Sequence, residues 1–129
     1  MAEVREGYFY SKEHDWVKID GEFAYLGLSD YAQDELGEIV YVDYLKEVGE
    51  ELTTGDDYAS VESTKSTSEV FSLVTGEITE INEKVEDDSE IINQSPYDNG
   101  WLIKVELSAT PDTSLLLSAS DYEEFLKTL

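Results

Sequence analysis

The chain has 129 residues, enough for one domain with a modest core, and its 40% hydrophobic and 12% aromatic content argues against wholesale disorder. A formal charge of −23 repels nucleic acid and anionic membrane surfaces and favours partners with basic docking patches, although most single carboxylates here only solvate the surface. The absence of cysteine excludes a disulfide framework, a thiol nucleophile and a thiolate metal site.

The first residues, Met1-Ala-Glu-Val-Arg-Glu6, carry neither an apolar signal region nor an Arg-rich transit pattern, and no apolar run approaches membrane-spanning length. A cytoplasmic protein is expected, or a mitochondrial-matrix one if the chain is eukaryotic and already processed. Tyr8-Phe-Tyr10 reads as a short strand and Lys12-Glu-His-Asp15 as a polar turn. A hairpin follows, with Trp16–Ile19 and Glu22–Leu28 as strands about Asp20-Gly21, one of the strongest two-residue turn signals. Ser29–Leu36 predicts a short helix, with Ser29 as N-cap, Asp30 at the positive end of the dipole and Gly37 as the stop. Two turns of helix are marginal alone, so Tyr31 and Leu36 are expected to dock on a sheet.

An internal repeat comes next. Gly37-Glu-Ile-Val-Tyr-Val-Asp43 resembles Gly76-Glu-Ile-Thr-Glu-Ile-Asn82 at an offset of 39 residues, and each copy leads to an acidic, valine-containing stretch and a turn. Between the copies lies Tyr58-Ala-Ser-Val-Glu-Ser-Thr-Lys65-Ser-Thr-Ser-Glu-Val-Phe71. Ala59, Val61 and Ser63 alternate with Tyr58, Ser60 and Glu62, the period of a strand, and apolar character resumes at Val70 and Phe71. The hydroxyl-rich Ser63–Ser68 suits a tight turn. Lys65 is the only basic residue between Lys46 and Lys84, and a flexible amine at such a tip is well presented to an enzyme. On these residues alone, a lysine placed for solubility is the simpler reading.

Asp87–Asn93 reads as a short helix with acidic residues in its first turn. Glu86, Asp87 and Asp88 lack the alternating spacing and distal Glu of an EF-hand. Ser95–Gly100 is a turn cluster, and Trp101–Leu107 predicts a strand with Trp101, Ile103, Val105 and Leu107 on the core face. Ser114–Leu117 is read as one turn. Ser118 with Asp121, or Ser120 with Glu123, resembles a capping box, and Tyr122, Phe125, Leu126 and Leu129 form one helical stripe.

A catalytic constellation is hard to find. His14 is the only histidine, no Gly-x-Ser-x-Gly elbow accompanies it, and there is no phosphate-binding glycine loop or zinc spacing. Acidic residues are so numerous that paired carboxylates carry no information. Chemistry would have to come from a carried cofactor.

The segment Glu62–Val70 resembles the lipoyl-attachment segment of the glycine cleavage system H protein family. The similarity extends in the family's order through Lys12–Trp16, Gly27–Gln33, Leu36–Val42, Glu86–Asp88, Ser95–Tyr97 and Gly100–Val105, nearly the whole chain. The resemblance implies one lipoyl-carrier domain over residues 1–129: mainly β, a lipoyl/biotinyl-type barrel-sandwich hybrid of two antiparallel sheets with short helices and a C-terminal helix. It implies a monomeric, non-catalytic carrier with lipoate covalently on Lys65, flanked by Glu62, Ser63, Thr64 and Ser66. The carrier would take an aminomethyl group from glycine decarboxylase (P-protein) to aminomethyltransferase (T-protein) and be reoxidised by dihydrolipoyl dehydrogenase (L-protein), after modification by a lipoate ligase or lipoyltransferase. In the family the loaded arm folds into a water-limiting cleft, for which His14, Asp15 and Ser29 are the rim residues expected here. Three positions depart from the family pattern: Leu73 and Lys46 stand where proline is frequent, and Asp15 stands where Glu is common.

Two other readings remain open. One is an H-like protein relaying lipoate to 2-oxo acid dehydrogenases. The other is an unmodified acidic binding protein of the same fold. A lipoyl domain of a dehydrogenase acyltransferase would leave Lys12–Gln33 and the C-terminal helix surplus, and biotin carriage lacks its flanking Met residues.

Overall fold

The computed structural model describes residues 2–129. Nine strands form two antiparallel sheets. The strands are β1 (Phe9–Tyr10), β2 (Asp15–Asp20), β3 (Phe23–Leu28), β4 (Ile39–Tyr44), β5 (Glu51–Leu52), β6 (Asp57–Ser63), β7 (Thr67–Phe71), β8 (Gly76–Ile81) and β9 (Ile103–Leu107). The first sheet has the order β1-β2-β3-β9-β8-β5 and the second β4-β6-β7. The helices are α1 (Asp30–Leu36), α2 (Glu83–Asp87), α3 (Ile91–Gln94) and α4 (Ala119–Leu126), with a 3₁₀ turn at Thr113–Leu115. The sheets pack as a sandwich and not as a closed barrel. Among the described residues no helix is long and apolar enough to cross a membrane.

Alternation sends Val17, Ala24, Leu26, Val42, Val61, Val70, Ile78, Ile103 and Val105 into one core. A second, aromatic cluster of Tyr8, Tyr10, Trp16, Tyr97 and Tyr122 lies around β1 and β2 and includes the buried face of α4. Trp16 and Val17 are consecutive on β2, so pleating sends them to opposite faces and each sheet face acquires its own core. Trp16 is paired across the ladder with Gly27. A Cβ on Gly27 would lie 2.9 Å from the indole, so glycine there makes room for the ring. Tyr10 and Tyr122 stack with centroids 4.2 Å apart, fastening α4 to β1.

Ser29 caps α1 by accepting the Ala32 amide, and Gly37 ends it at φ 84°. Ala32 is the buried residue of this helix, while Tyr31 and Leu36 are half-buried. Other expectations change. The two-residue turn after β2 is Gly21-Glu22, since Asp20 pairs with Phe23; Gly21, at φ 62°, takes the first central position. Tyr58 is as buried as Ala59, because a ladder irregularity between Asp57 and Ala59 breaks the alternation. The repeat persists in β4 and β8 but not beyond. Asn82 accepts from the Lys84 amide and starts α2, whereas the corresponding stretch after β4 is a turn. The helix expected over Asp87–Asn93 is instead the end of α2 and the start of α3, broken at Asp88–Glu90. β9 begins only at Ile103, and Leu102 is buried while Trp101 is half-exposed: the Leu102 amide donates to Leu26 and its carbonyl accepts from Asn82. α4 is capped by Ser118 through the Asp121 amide and ends at Leu126, leaving Leu129 exposed and off the stripe.

Two substitutions test this packing. Leu26→Ala should cost about 2–5 kcal/mol from an already closed core. Gly76→Ala should cost at least about 1–3 kcal/mol, because a Cβ there collides with the Glu106 backbone and lies 2.6 Å from Val105 Cγ1. Urea denaturation reads both, and a Gly76→Ala protein as stable as the parent would refute the contact.

Candidate functional site around the hairpin tip

The β6–β7 hairpin closes on itself through one serine. The Ser63 amide donates to the Ser66 carbonyl at 2.8 Å, and Ser63 Oγ accepts from the amides of Lys65 (3.1 Å) and Ser66 (3.0 Å). With no large side chain to bury, this hydroxyl supplies the local order. The tip also leans on the corner between α1 and β4, where the Thr64 amide donates to the Glu38 carbonyl at 3.0 Å. Lys65 is exposed, and its Nζ has no ion pair or hydrogen bond among the described residues. Its stem passes over Gly37, where an added Cβ would lie 3.3 Å from Lys65 Cε.

Glu62 is exposed on the same hairpin, Ser63 half-buried, and Thr64 and Ser66 exposed. The register sets Tyr41, Glu62 and Thr67 side by side across the three strands, with Asp43, Ser60 and Glu69 in the next row but one. Three of these six side chains, Glu62, Asp43 and Glu69, are carboxylates, and Tyr41 is an exposed tyrosine among them.

The residues expected at a cleft rim separate into two groups. Asp15 is 2% exposed, on the same face of β2 as Val17. It contributes to a cavity of about 370 Å³ with Phe71, Leu73, Leu115 and Leu116 among its walls. Phe71 ends β7, so one strand of about 14 Å joins Lys65's turn to this cavity. Asp15 Oδ2 accepts a long bond from Ser11 Oγ at 3.4 Å, while Oδ1 is buried with no hydrogen-bond partner among the described residues. Burial pushes this carboxyl well above the usual range, and the charge of Glu13 adds to the shift. The Tyr58 hydroxyl is likewise buried and unpartnered, and burial followed by the Asp15 charge raises it.

His14 and Ser29 lie elsewhere and meet on a residue that the sequence did not single out for the site. Tyr122 Oη is 2.8 Å from His14 Nδ1 and 2.8 Å from Ser29 Oγ. Ser29 is fully buried, with its hydroxyl against Tyr122. His14 has φ 72° and packs on Tyr31 at 4.5 Å, and burial lowers its pKa. The stripe of α4 marked Tyr122 as apolar; only its tertiary position gives its hydroxyl two partners. In the turn where proline is frequent in the family, Ser72 Oγ donates to the Val74 carbonyl at 2.7 Å and accepts its amide at 3.2 Å, which holds Leu73 in place. No metal-holding group of His, Cys, Asp or Glu occurs among the described residues.

A raised folded-state pKa means that Asp15 binds its proton more tightly folded than unfolded. Its contribution to stability is complete at acid pH and is lost as pH rises through the folded value. Asp15→Asn should therefore raise the melting temperature at pH 7.5, and the gain should shrink as pH falls toward 4. Thermal melts across that range check it; a loss of stability at pH 7.5 would refute the burial cost.

A family model described as Glycine cleavage H-protein matches residues 8–129. Glycine cleavage system H proteins of two Staphylococcus epidermidis strains are each 47% identical over 117 residues, covering 91% of this chain and 92% of theirs. The crystal structure of a glycine cleavage system H protein from Mycobacterium marinum superposes with a TM-score of 0.86 at 32% identity, over 98% of this chain and 100% of that one. With the family model running from β1 through α4 and the same two-sheet fold in a solved relative, the chain belongs to the glycine cleavage H-protein family.

Proposed function

We propose that this chain is a non-catalytic, lipoyl-bearing carrier of the glycine cleavage system, modified on Lys65. The observation that carries the reading is an unpaired, exposed amine on a hairpin tip whose backbone is closed by Ser63 and braced on Glu38. An amide at Nζ removes a charge that nothing in the chain uses, so modification leaves no buried partner behind. Lipoate held there by an amide to Lys65 Nζ would supply a disulfide as two-electron acceptor: one sulfur would take the aminomethyl carbon that glycine decarboxylase leaves while the other became a thiol, aminomethyltransferase would remove the group, and dihydrolipoyl dehydrogenase would reoxidise the remaining dithiol to the disulfide. A lipoate ligase or lipoyltransferase would install it, in the cytoplasm or, for a processed eukaryotic chain, in the mitochondrial matrix. The protein would act as a monomer.

The chain's own residues have distinct tasks in this reading. Ser63, Thr64 and Ser66 keep the tip in one shape, and Glu62 presents a charge beside it. Phe71, Leu73 and Leu116 offer apolar walls on which an occupant would shed water, with Leu115 itself 82% exposed beside them. Asp15 offers the unpartnered Oδ1 as a hydrogen-bond acceptor for an amine entering the cavity. His14 and Ser29 hold Tyr122, and with it α4, against this region. A buried carboxylate that costs stability and lines a cavity is the pattern of a retained functional group.

Intact mass after incubation with lipoate and a lipoate ligase tests the attachment. One lipoyl adduct is expected on the parent and none on Lys65→Arg, with equal melting temperatures. An unmodified parent would favour the acidic binding protein, and modification without glycine-dependent loading would favour a relay to 2-oxo acid dehydrogenases. Asp15→Asn should accept lipoate normally yet shorten the lifetime of the glycine-loaded carrier while raising its melting temperature. An unchanged lifetime would remove Asp15 from the cleft.

A further inference from the structure

The corner on which the hairpin tip rests is itself held by one side chain. Residues 37–39 turn from α1 into β4 with a positive φ at Gly37 and a bend at Glu38, and the Glu38 carbonyl and the Ile39 amide, which share one trans peptide plane, point to opposite sides of the chain. On one side Asn93, from α3, brackets the corner: its Nδ2 donates to the Gly37 carbonyl at 2.9 Å and its Oδ1 accepts the Ile39 amide at 2.9 Å. On the other side the Glu38 carbonyl accepts the Thr64 amide at 3.0 Å. Asn93 thus stands where a neighbouring strand would be, and the hairpin tip occupies the opposite edge. The Asn93 amide is held in turn by Gln33 Oε1 at 2.8 Å, and Gln33 Nε2 donates to Asp30 Oδ1 at 2.7 Å. Gly37 completes the arrangement. Its positive φ ends the helix, and its missing Cβ lets the Lys65 stem lie against the backbone.

We infer that Asn93 is a positioning residue for Lys65: by fixing the Gly37–Ile39 corner it sets the seat of the hairpin tip and the direction in which the lysine projects. The inference rests on the reading of Lys65 as the attachment residue. Asn93 touches neither the lysine nor anything attached to it; it acts through Gly37 and Glu38. The tip's internal bonds to Ser63 fix its shape but not its orientation on the body. Beyond the β4–β6 ladder, whose register reaches Ile39 opposite Ser63, the bond from the Thr64 amide to the Glu38 carbonyl ties the tip to this corner.

The experiment uses the full chain and three variants: Asn93→Ala, Asn93→Asp and Leu26→Ala. Asn93→Asp keeps the acceptor for Ile39 but loses the donor to Gly37, so its effect should be of the same kind and smaller. Leu26→Ala lies in the inter-sheet core and serves as a destabilised control. Amide hydrogen exchange at Thr64 should speed up about tenfold in Asn93→Ala, with Val61 unchanged. The kcat for lipoylation by a lipoate ligase should fall about tenfold or more with KM held within about twofold, since the docking face is intact and only the reacting amine is misdirected. Leu26→Ala should leave both readouts at parent values at a temperature where it is folded. Equal slowing by Leu26→Ala, or an unchanged Thr64 amide in Asn93→Ala, would overturn the inference. If the parent accepts no lipoate, the reading of Lys65 fails, and Thr64 exchange alone decides whether Asn93 seats the tip.

Discussion

The exposed lysine of the hairpin tip sits on a segment with nothing to bury. Ser63–Ser68 contains no large apolar side chain, so hydrophobic burial cannot order it, and hydrogen bonds must. Each such bond contributes only about 1 kcal/mol net, so one alone would leave the tip frayed. The structure answers with connected bonds: Ser63 closes the turn, Thr64 joins it to Glu38, and Asn93 stiffens the far side of Glu38. β4 pairs with β6 below, so this corner is continuous with the three-stranded sheet. The tip is thus bonded to a connection between α1 and β4 that is remote from it in sequence.

Charge works in the opposite direction. The formal charge of −23 spreads over a small domain, and its self-repulsion opposes compactness while keeping copies apart. The basic residues are placed economically. Arg5 forms a two-point pair with Asp98 at 2.6 and 2.9 Å and lies over Tyr97, and Lys104 lies over Phe23 and near Glu80. Arg5 and Tyr97 together tie the N-terminal segment to the loop before β9, since Tyr97 Oη donates to the Glu3 carbonyl at 2.7 Å. Lys65 is left out of such pairs, and the carboxylates Glu62, Asp43 and Glu69 lie on the face beside it. A partner approaching that face meets long-range attraction for basic groups, and salt screens it.

The two cores divide the labour. The inter-sheet core is aliphatic and supplies most of the burial, while the aromatic cluster fastens the termini and α4 over β1 and β2. Asp15 sits at the end of the aliphatic core with Tyr58 buried near enough to feel its charge, and neither Asp15 Oδ1 nor the Tyr58 hydroxyl finds a partner among the described residues. Such groups cost stability, and an apolar pair of the same shape would remove that cost. Asp15 also lines the pocket that Phe71, at the end of β7, helps to form.

Local signals were enough for much of this. Strand period and Ser-capped starts put most elements where they occur, because each depends on neighbours within a few residues, and Asp20-Gly21 located the first hairpin with its turn one residue early. Lys65, its hydroxyl-rich turn and the family resemblance were legible for the same reason: the motif is contiguous. What failed were positions governed by distant partners. The bulge that buries Tyr58, the irregular entry to β9 that buries Leu102, and the break between α2 and α3 all depend on pairing across sheets or on caps. Asp15 could be named as a candidate from its place in a motif, but its burial beside Phe71 could not. Tyr122 read as one more apolar stripe residue, and Asn93 as a residue in a short helix. Their roles arise from hydroxyl and amide groups meeting partners 108 and 56 residues away, and no local period encodes such a meeting. The sequence by itself determined the strands, the caps and the exposed lysine, since backbone preference and side-chain period are local. Only the tertiary structure decided which polar groups would converge, since that depends on how the two sheets and α4 pack.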